Sequence, residues 1–312
     1  MNNKFTLLAV IAAFLNIVAM FYCGHCSANQ PLDRFYLMGR GALHLKNLRN
    51  EKEARIHLLN RDGSFNERGF DDVDRVFGFP TEEKGEHISP RLLFMLSYFS
   101  DQVAPGKMIT IESGYRSPDY NNKIREKGAN AAKTSAHIDG MALDFWIEGI
   151  DGKELWEMVR AKNCCGVGHY GGKTIHLDAG RPRYWEAATS GTKSEKPDDN
   201  RHIFLSTDFD RYRRGEEITL SLSGISTFGF GVLPAAHLYN SADVEQPIPI
   251  AIQTKNKSGC IMISDHKSSR FLSASLPPKL PAGKFRVKIE FCEKPFSQMP
   301  SEVFSNEIEL IR

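Results

Sequence analysis

The stretch Ser135–Phe145, which reads SAHIDGMALDF, constrains this chain more than any other part of it. From Met141 onward, large apolar residues occupy alternate positions, a pattern typical of a strand with one buried face. Because side chains on a strand alternate between its two faces, Asp144 would lie on the face opposite these apolar residues. His137 precedes Gly140, which permits a tight backbone path into the strand. The stretch therefore predicts two metal ligands carried into a strand with a buried face.

A second stretch with polar ligands, His169–Gly180, reads HYGGKTIHLDAG. The apolar residues on either side of His176 alternate with it, so a strand here would turn His176 and Asp178 to the same face. With His137 and Asp144, His176 would complete a set of two nitrogens and one oxygen. Catalytic zinc takes three protein ligands of this kind and keeps a fourth position for water, whose pKa falls to about 7. Each histidine alone is more often a hydrogen-bonded structural residue, so the interpretation rests on the combination.

The N-terminus predicts export. Lys4 is followed by the apolar run Phe5–Tyr22 and then by small and polar residues, so residues 1–28 are typical of a secretory signal peptide. Cleavage would leave a periplasmic or extracellular protein with no stable membrane insertion, and an uncleaved membrane anchor is the alternative. The 312 residues carry a formal net charge of +2, with 41% hydrophobic residues, so nothing in the composition indicates disorder or a nucleic-acid partner. The oligomeric state is left open.

The region before residue 190 mixes strands and helices. Alternating residues from Leu43 predict a hairpin, and Ser89-Pro90 predicts a helix start with serine as the cap and proline at the first position. Arg116 lies in a loop between a predicted strand and the next helix, where functional side chains are common. We expect residues 29–189 to form one domain that contains both strands and helices.

The C-terminal part has a different character. Residues 190–200 are polar throughout and predict a linker. Over residues 201–312, short alternating strands separated by Gly, Pro and Asn predict an all-β, immunoglobulin-like sandwich domain. Cys260 and Cys292 lie on separate predicted strands of this domain, so export would permit a disulfide bond between them. The adjacent pair Cys164-Cys165 could be read as zinc ligands, but such residues are more often buried packing groups.

Several motifs lie in order between Leu43 and Trp185. They are Ser113-Gly-Tyr-Arg116, Ser135-x-His137-x-x-Gly140-x-Ala142-x-Asp144, His176 after a Gly-Val-Gly hairpin, and Arg181-x-Arg-Tyr-Trp185. In combination they resemble the zinc D-alanyl-D-alanine carboxypeptidases and their hedgehog-like relatives, and most of all the murein endopeptidase K-like branch. The resemblance implies an α+β fold in which a central antiparallel sheet with flanking helices carries zinc. It also implies hydrolysis of peptide bonds in peptidoglycan stem peptides, at D-configured centres.

Carried over by motif, the resemblance implies zinc ligands at His137, Asp144 and His176. It also implies a substrate-binding role for Arg116. The guanidinium fork of Arg116 suits a substrate carboxylate or the polarisation of the scissile carbonyl. A salt bridge that supports the loop is the alternative role for this arginine.

The general base is the point at which this chain departs from the family's carboxypeptidases. They place an acidic residue three positions before the second zinc histidine, and this chain has Lys173 there. A lysine cannot take that role unless its pKa is strongly lowered. His169 and Asp178 are the candidate catalytic residues in its place. Asp178 could instead orient a ligand imidazole, and His169 could be a histidine of the core or of the hairpin.

The sequence thus predicts a secreted zinc metallopeptidase that acts on peptidoglycan peptides as a murein endopeptidase or carboxypeptidase. Two alternatives stay open. One is a catalytically inactive, zinc-containing cell-wall-binding protein, which Lys173 allows. The other is a surface protein whose C-terminal domain dominates its function.

Overall fold

The structure, a computed structural model, describes residues 33–81, 86–129, 131–189, 197–241, 246–254 and 259–311. The predicted signal peptide, residues 1–28, and most of the predicted linker lie outside these ranges. Within them, no helix is both long and apolar enough to cross a bilayer.

The N-terminal region is built on one sheet of seven strands. These are β1 (Ala42–Asn47), β2 (Glu53–His57), β3 (Met108–Ser113), β4 (Ala142–Ile147), β5 (Gly166–His169), β6 (Ile175–Asp178) and β7 (Arg183–Glu186). Their order in the sheet is β2-β1-β3-β4-β6-β5-β7. The predicted hairpin from Leu43 is confirmed as the antiparallel pair β1–β2, and β5–β6 is a second antiparallel hairpin.

This sheet is mixed, whereas the sequence interpretation expected an antiparallel one. The pairs β1–β3 and β5–β7 are parallel. The chain returns from β1 to β3 only after β2 and two helices, and a connection of that length can bring a strand back in the same direction. The rest of the region agrees with the expected α+β arrangement, in which helices flank the strands.

Four helices accompany the sheet: α1 (Glu67–Phe77), α2 (Pro90–Val103), α3 (Pro118–Glu126) and α4 (Gly152–Lys162). The predicted cap at Ser89 is confirmed, because its side chain accepts a hydrogen bond from the Leu92 N–H. Helix α1 packs against β2, α2 against β6 and α4 against β5. The alternate apolar residues of β4 and β6 join the buried core with these helices, which leaves their polar residues on the opposite face.

We call the described residues from 197 to 311 the C-terminal β region. Its regular secondary structure consists of strands and one short helix. They comprise β8 (Phe204–Thr207), β9 (Arg211–Arg213), β10 (Glu217–Ser223), β11 (Phe230–Asn240), β12 (Ile248–Ala251), β13 (Ile261–Ile263), α5 (His266–Arg270), β14 (Leu272–Ser275), β15 (Gly283–Glu293), β16 (Glu302–Phe304) and β17 (Ile308–Ile311). Three of the strands form the sheet β14-β10-β8, and the other seven form a second sheet. Both sheets contribute to one apolar core. The immunoglobulin-like topology stays a prediction.

A disulfide bond joins Cys260 and Cys292, the pair that the sequence left open. It connects the start of β13 to β15. Gly231 on β11 lies directly against this bond, and any Cβ there would collide with the Cys260 sulfur. At the end of the predicted linker, Asn200 is buried and its side chain accepts a hydrogen bond from the Ser226 N–H, so this residue packs with the β region.

Ion pairs join the C-terminal β region to the N-terminal region. Arg34 contacts Glu216 at 2.7 Å, and Arg91 contacts Asp210 at 2.8 Å. Phe209 packs against both apolar cores. The two regions therefore share an interface with charged and apolar parts.

Candidate metal centre

Two neighbouring strands bring Asp144 and His176 together. Asp144 lies on β4, and His176 lies directly opposite it on β6. Both side chains occupy the face turned away from the apolar core, as the alternation in the sequence predicts. Residues directly opposite each other on antiparallel strands have Cβ atoms about 4.5–5.5 Å apart, so the pairing register alone makes these side chains neighbours.

His137 reaches the same point from the turn that precedes β4. Its carbonyl accepts a hydrogen bond from the Arg116 N–H at 3.2 Å, and the Gly140 carbonyl accepts one from the Ser89 N–H at 2.9 Å. Gly140 has a φ of 65°, in the left-handed region, and a Cβ there would press on the Phe79 ring. Glycine is therefore required for the tight path into the strand.

His137, Asp144 and His176 form a compact group that we call the metal cluster. One ligand atom from each residue lies within 4.8 Å of the other two. All three residues are buried, with 2%, 6% and 5% of their surfaces exposed. Asp144 Oδ1 lies 2.8 Å from His176 Nδ1 and 3.3 Å from His137 Nε2. Two nitrogens and one carboxylate oxygen therefore converge on one point.

One of these three atoms, His137 Nε2, has no hydrogen bond among the described residues. His137 Nδ1 lies 2.7 Å from the Gly114 carbonyl, which can only accept, so Nδ1 carries the ring proton. Burial lowers the pKa of His137 and favours the neutral ring, whose Nε2 is buried without a hydrogen-bond partner among the described residues. That lone pair lies 3.3 Å from Asp144 Oδ1, so a proton or a metal cation bound by the two atoms would relieve their repulsion. Two imidazoles and one carboxylate are a donor set of catalytic zinc sites, so the residues fit this ion.

Asp178 holds the ring of His176 from the side away from the cluster. Its Oδ2 lies 2.8 Å from His176 Nε2, while Arg183 approaches both carboxylate oxygens, at 3.0 and 2.6 Å. Burial opposes the charged form of Asp178, but the hydrogen bond to His176 and the Arg183 charge lower its pKa to about 2. The carboxylate is therefore ionised, and both of its oxygens already have hydrogen-bond partners. With Nε2 donating to Asp178, His176 can turn an unprotonated Nδ1 towards the cluster.

Arg116 contacts the metal cluster through its carboxylate. The Arg116 Nη2 donates to Asp144 Oδ2 at 2.7 Å, and its Nε donates to the Ser113 hydroxyl at 2.9 Å. Burial opposes ionisation of Asp144, but charge and hydrogen bonding from His137 and His176, when their rings are protonated, hold the pKa of its carboxyl well below the usual range. Arg116 thus makes a salt bridge of the kind expected as the alternative to substrate binding.

The structure does not bring His169 to the metal cluster. His169 lies opposite Ile175 in the β5–β6 pairing, which puts its side chain on the core face, whereas Gly168 shares the face of His176. The His169 ring contacts the Gly172 carbonyl at 3.1 Å. Lys173, which stands where the family's carboxypeptidases have an acid, places its ammonium 3.3 Å from the centroid of the Trp146 ring.

Two side chains at the cluster were missed by sequence reasoning. The Tyr170 hydroxyl donates to Asp144 Oδ1 at 3.0 Å, and burial, with the Asp144 charge, raises the pKa of Tyr170. The Trp185 ring lies 4.9 Å from the His176 ring and covers Gly168, where a Cβ would collide with the indole. Two signals in the sequence could have pointed to these residues. Tyr170 lies beside the predicted hairpin turn, and Trp185 belongs to the family motif.

A second group of possible ligands, which we call the support cluster, contains Asp71, Asp74 and His87. Asp74 is buried and accepts hydrogen bonds from the Ile88 N–H at 2.9 Å and the Thr81 hydroxyl at 2.7 Å, and its Oδ2 lies 2.7 Å from His87 Nδ1. These bonds fasten α1 to the segment that leads into α2.

The remaining candidate ligands, Cys164 and Cys165, belong to neither cluster. Cys165 is buried in the core, and the Cys164 sulfur lies 3.8 Å from the Met95 sulfur. Both thiols therefore have the packing role that the sequence allowed as the alternative to zinc binding.

Comparison with known proteins assigns the region that carries the metal cluster to a family. Residues 38–185 match the family model described as peptidoglycan L,D-endopeptidase MepK. The chain is 30% identical over 144 residues to the peptidoglycan L,D-endopeptidase MepK of Escherichia coli (strain K12), and the match covers 46% of this chain and 79% of that protein. It is 35% identical over 79 residues to the probable peptidoglycan L,D-endopeptidase MepK of Haemophilus influenzae, a match that covers 25% of this chain and 42% of that protein. These matches confirm the resemblance seen in the motifs, and the family model excludes the C-terminal β region.

Proposed function

The chain belongs to the family described as peptidoglycan L,D-endopeptidase MepK, and from this membership we propose that it hydrolyses a bond between an L- and a D-configured residue in peptidoglycan peptides. Family membership supports a hydrolase that acts on peptidoglycan, and it favours the endopeptidase over the carboxypeptidase expected as the other possibility. One observation carries the catalytic part of the proposal. His137 Nε2 is buried without a hydrogen-bond partner among the described residues and lies 3.3 Å from Asp144 Oδ1, an arrangement that suits a bound cation.

We assign the metal ligands to His137, Asp144 and His176. A zinc ion held by them would supply Lewis-acid chemistry, which activates water and polarises a carbonyl. The other groups prepare these ligands. The Gly114 carbonyl fixes the proton of His137 on Nδ1, and Asp178 fixes the orientation of His176. We therefore give Asp178 the positioning role that the sequence left as an alternative, because its oxygens are already occupied and it is fully buried.

Arg116 is our candidate for binding the substrate. A cleft of about 260 Å³ lies beside it and is lined by Tyr115, Tyr120 and a second arginine, Arg49. The Arg49 guanidinium lies 4.2 Å from the centroid of the Tyr120 ring. Because guanidinium groups bind carboxylates and carbonyl oxygens well, this cleft suits an acidic peptide that reaches the metal cluster.

Tyr170 is our candidate for the hydrogen-bond donor at the reacting carbonyl. Its hydroxyl already lies at the metal cluster, 3.0 Å from Asp144 Oδ1, whereas His169 lies on the other face of the sheet. A donor aimed at an oxygen that gains negative charge stabilises the transition state. Since its pKa is raised, Tyr170 keeps its proton and serves as a donor rather than as a base.

The proposal includes export and the predicted division of the chain. A signal peptide over residues 1–28 would send the protein to the periplasm or the medium, where peptidoglycan is found. Residues 29–189 would form the peptidase domain, residues 190–200 the linker, and residues 201–312 an immunoglobulin-like domain.

Digestion of purified sacculi tests this function. The zinc-loaded mature protein should release peptides cut at an L,D bond, identified by mass spectrometry, and a chelator should abolish the release. His137→Ala is the matched inactive variant. An unchanged muropeptide profile with zinc bound would favour the inactive cell-wall-binding protein instead.

A further inference from the structure

The C-terminal β region touches the turn that carries His137. The Gly224 N–H, just after β10, donates to Asp139 Oδ2 at 3.1 Å. The neighbouring Ser223 hydroxyl lies 3.2 Å from the Met141 sulfur, and this contact is buried. Asp139 and Met141 stand on either side of Gly140, so the β region contacts both residues that flank the tightest point of the turn.

Arg270 makes the second contact, from the last position of α5. Its Nη1 pairs with Glu86 at 2.6 Å, and its Nη2 lies 3.5 Å from the Ile138 carbonyl. Both side chains of the ion pair are mostly buried. Glu86 stands close in sequence to Ser89, whose N–H donates to the Gly140 carbonyl. One arginine of the β region therefore joins the His137 turn to the segment that packs against it.

The three metal ligands are held in different ways. Asp144 and His176 lie opposite each other on paired strands, so the sheet determines their distance. His137 lies in a turn outside the sheet, and its place depends on what packs against that turn. The Asp139 side chain, two residues on, is mostly buried and faces Gly224 and, at 3.9 Å, His266 of the β region. The position of His137 relative to the other two ligands is thus coupled to the β region.

We propose that the C-terminal β region positions His137 for metal binding, with Asp139 and Arg270 as the positioning residues. This part of the chain lies outside the residues that match the family model, 38–185. Its contacts with the His137 turn give it a positioning role at the metal centre, in addition to any binding role of its own. The inference rests on the proposed metal site but not on the proposed peptide substrate.

The test compares two arginines of the same interface in the full-length chain. Arg270→Gln removes the contact with the turn, and Arg34→Gln is the matched control. Arg34 also has a mostly buried ion pair across the interface, with Glu216 at 2.7 Å, and its hydrogen bonds among the described residues go to Glu216 and Arg211 rather than to the His137 turn. Zinc affinity is measured by competition with a chromophoric chelator, and folding by thermal unfolding of the zinc-free protein. Both variants should lower the unfolding midpoint, but only Arg270→Gln should weaken zinc affinity, by about tenfold or more.

A second pair of variants tests Asp139 itself. Asp139→Asn keeps an oxygen that can accept from Gly224 but removes the charge, and Asp139→Ala removes both. We expect a graded loss of zinc affinity, larger for alanine, and a changed visible spectrum of the cobalt-substituted protein, because the ligand geometry shifts. Arg270→Lys, which keeps the charge, should recover part of the affinity and replaces Arg270→Gln if the latter does not fold.

Two results would overturn the inference. One is wild-type zinc affinity in folded Arg270→Gln and Asp139→Ala, and the other is an equal loss in Arg34→Gln. The outcome is separable from that of the proposed function. If the zinc affinities split as expected but sacculi stay intact, the positioning role stands and the peptidase function fails; if sacculi are cut and the two arginine variants behave alike, the positioning role fails.

Discussion

The metal cluster and the support cluster both consist of histidine and aspartate side chains, yet the hydrogen bonds of these side chains are distributed differently. In the support cluster, Asp74 has a hydrogen-bond donor or a histidine nitrogen on each oxygen, and the other nitrogen of His87 lies 3.4 Å from Glu67. In the metal cluster, a nitrogen of His137 has no partner among the described residues. Carboxylates and a histidine gathered in one place therefore do not define a metal site. What favours the metal cluster over the support cluster as a metal site is the buried His137 nitrogen without a hydrogen bond, which faces a second candidate ligand.

Burial increases the free-energy effect of this difference in hydrogen bonding. All three members of the metal cluster are buried, whereas Asp71 of the support cluster is exposed and His87 is only partly buried. A polar atom left unpaired in a buried site costs about 1–3 kcal/mol, while an exposed one is satisfied by water. The metal cluster is therefore the better candidate for cation binding, because its unpaired buried nitrogen would be satisfied by a bound cation.

Removing one histidine from each cluster should give the largest contrast. His137→Ala should abolish hydrolysis and reduce zinc affinity by more than the roughly 10- to 100-fold seen when a supporting partner is lost. His87→Ala should leave zinc affinity unchanged, because the Ile88 N–H still bonds to Asp74 and holds the segment. It should instead lower the free energy of unfolding by about 1–3 kcal/mol. Chelator competition and urea unfolding measure the two quantities, and a large loss of zinc affinity in His87→Ala would erase the distinction.

The carboxylates that contact the histidines, Asp178 beside His176 and Asp74 beside His87, give the second contrast. Asp178→Asn should weaken zinc affinity by about 10- to 100-fold, because the amide orients His176 less strongly than a carboxylate does. Asp74→Asn, the matched change in the support cluster, should lower stability without changing zinc affinity. Chelator competition on both variants decides the point. Wild-type zinc affinity in Asp178→Asn would mean that Asp178 does not orient the ligand.

Tyr170 should separate metal binding from reaction within the metal cluster. Tyr170→Phe keeps the ring and removes the hydroxyl that donates to Asp144. We expect hydrolysis to fall about tenfold, the value of one hydrogen bond of about 1.4 kcal/mol, with zinc affinity unchanged. Steady-state cleavage of a defined cross-linked peptide measures the rate. If Tyr170→Phe lost both hydrolysis and zinc affinity, the role of Tyr170 would be only to support Asp144.

The two clusters should also respond to pH in opposite directions. The hydrogen bond to Asp74 raises the pKa of His87 in the folded protein, so its stabilising effect is fully present below the unfolded value of about 6.5 and is lost as the pH rises through the folded value. The difference in unfolding free energy between wild type and His87→Ala, in zinc-free protein, should therefore shrink between acid and alkaline pH. Zinc affinity should fall in acid instead, because metal ligands must be deprotonated. A His87 contribution that grows with pH would contradict this assignment.

Sequence reasoning went furthest where one local pattern carried the information. The alternation around Asp144 and around His176 placed both side chains on the polar face, and Ser89-Pro90 gave the start of α2. It went wrong on the strand directions of the sheet, because a parallel pair such as β1–β3 depends on where a long connection returns. It did not decide whether His169 serves in catalysis or in the core or hairpin, since only the pairing register shows that His169 and His176 face opposite sides of the sheet.

The sequence by itself determined the ligand types, the strand faces that present them and the family to which residues 38–185 belong. Tertiary structure alone decided that Asp144 stands opposite His176, that Tyr170 reaches the same carboxylate, and that the C-terminal β region packs on the His137 turn. The reason is physical. The side-chain period of a strand is a property of neighbouring residues, whereas register, hydrogen-bond partners and the satisfaction of a buried lone pair depend on segments far apart in the chain.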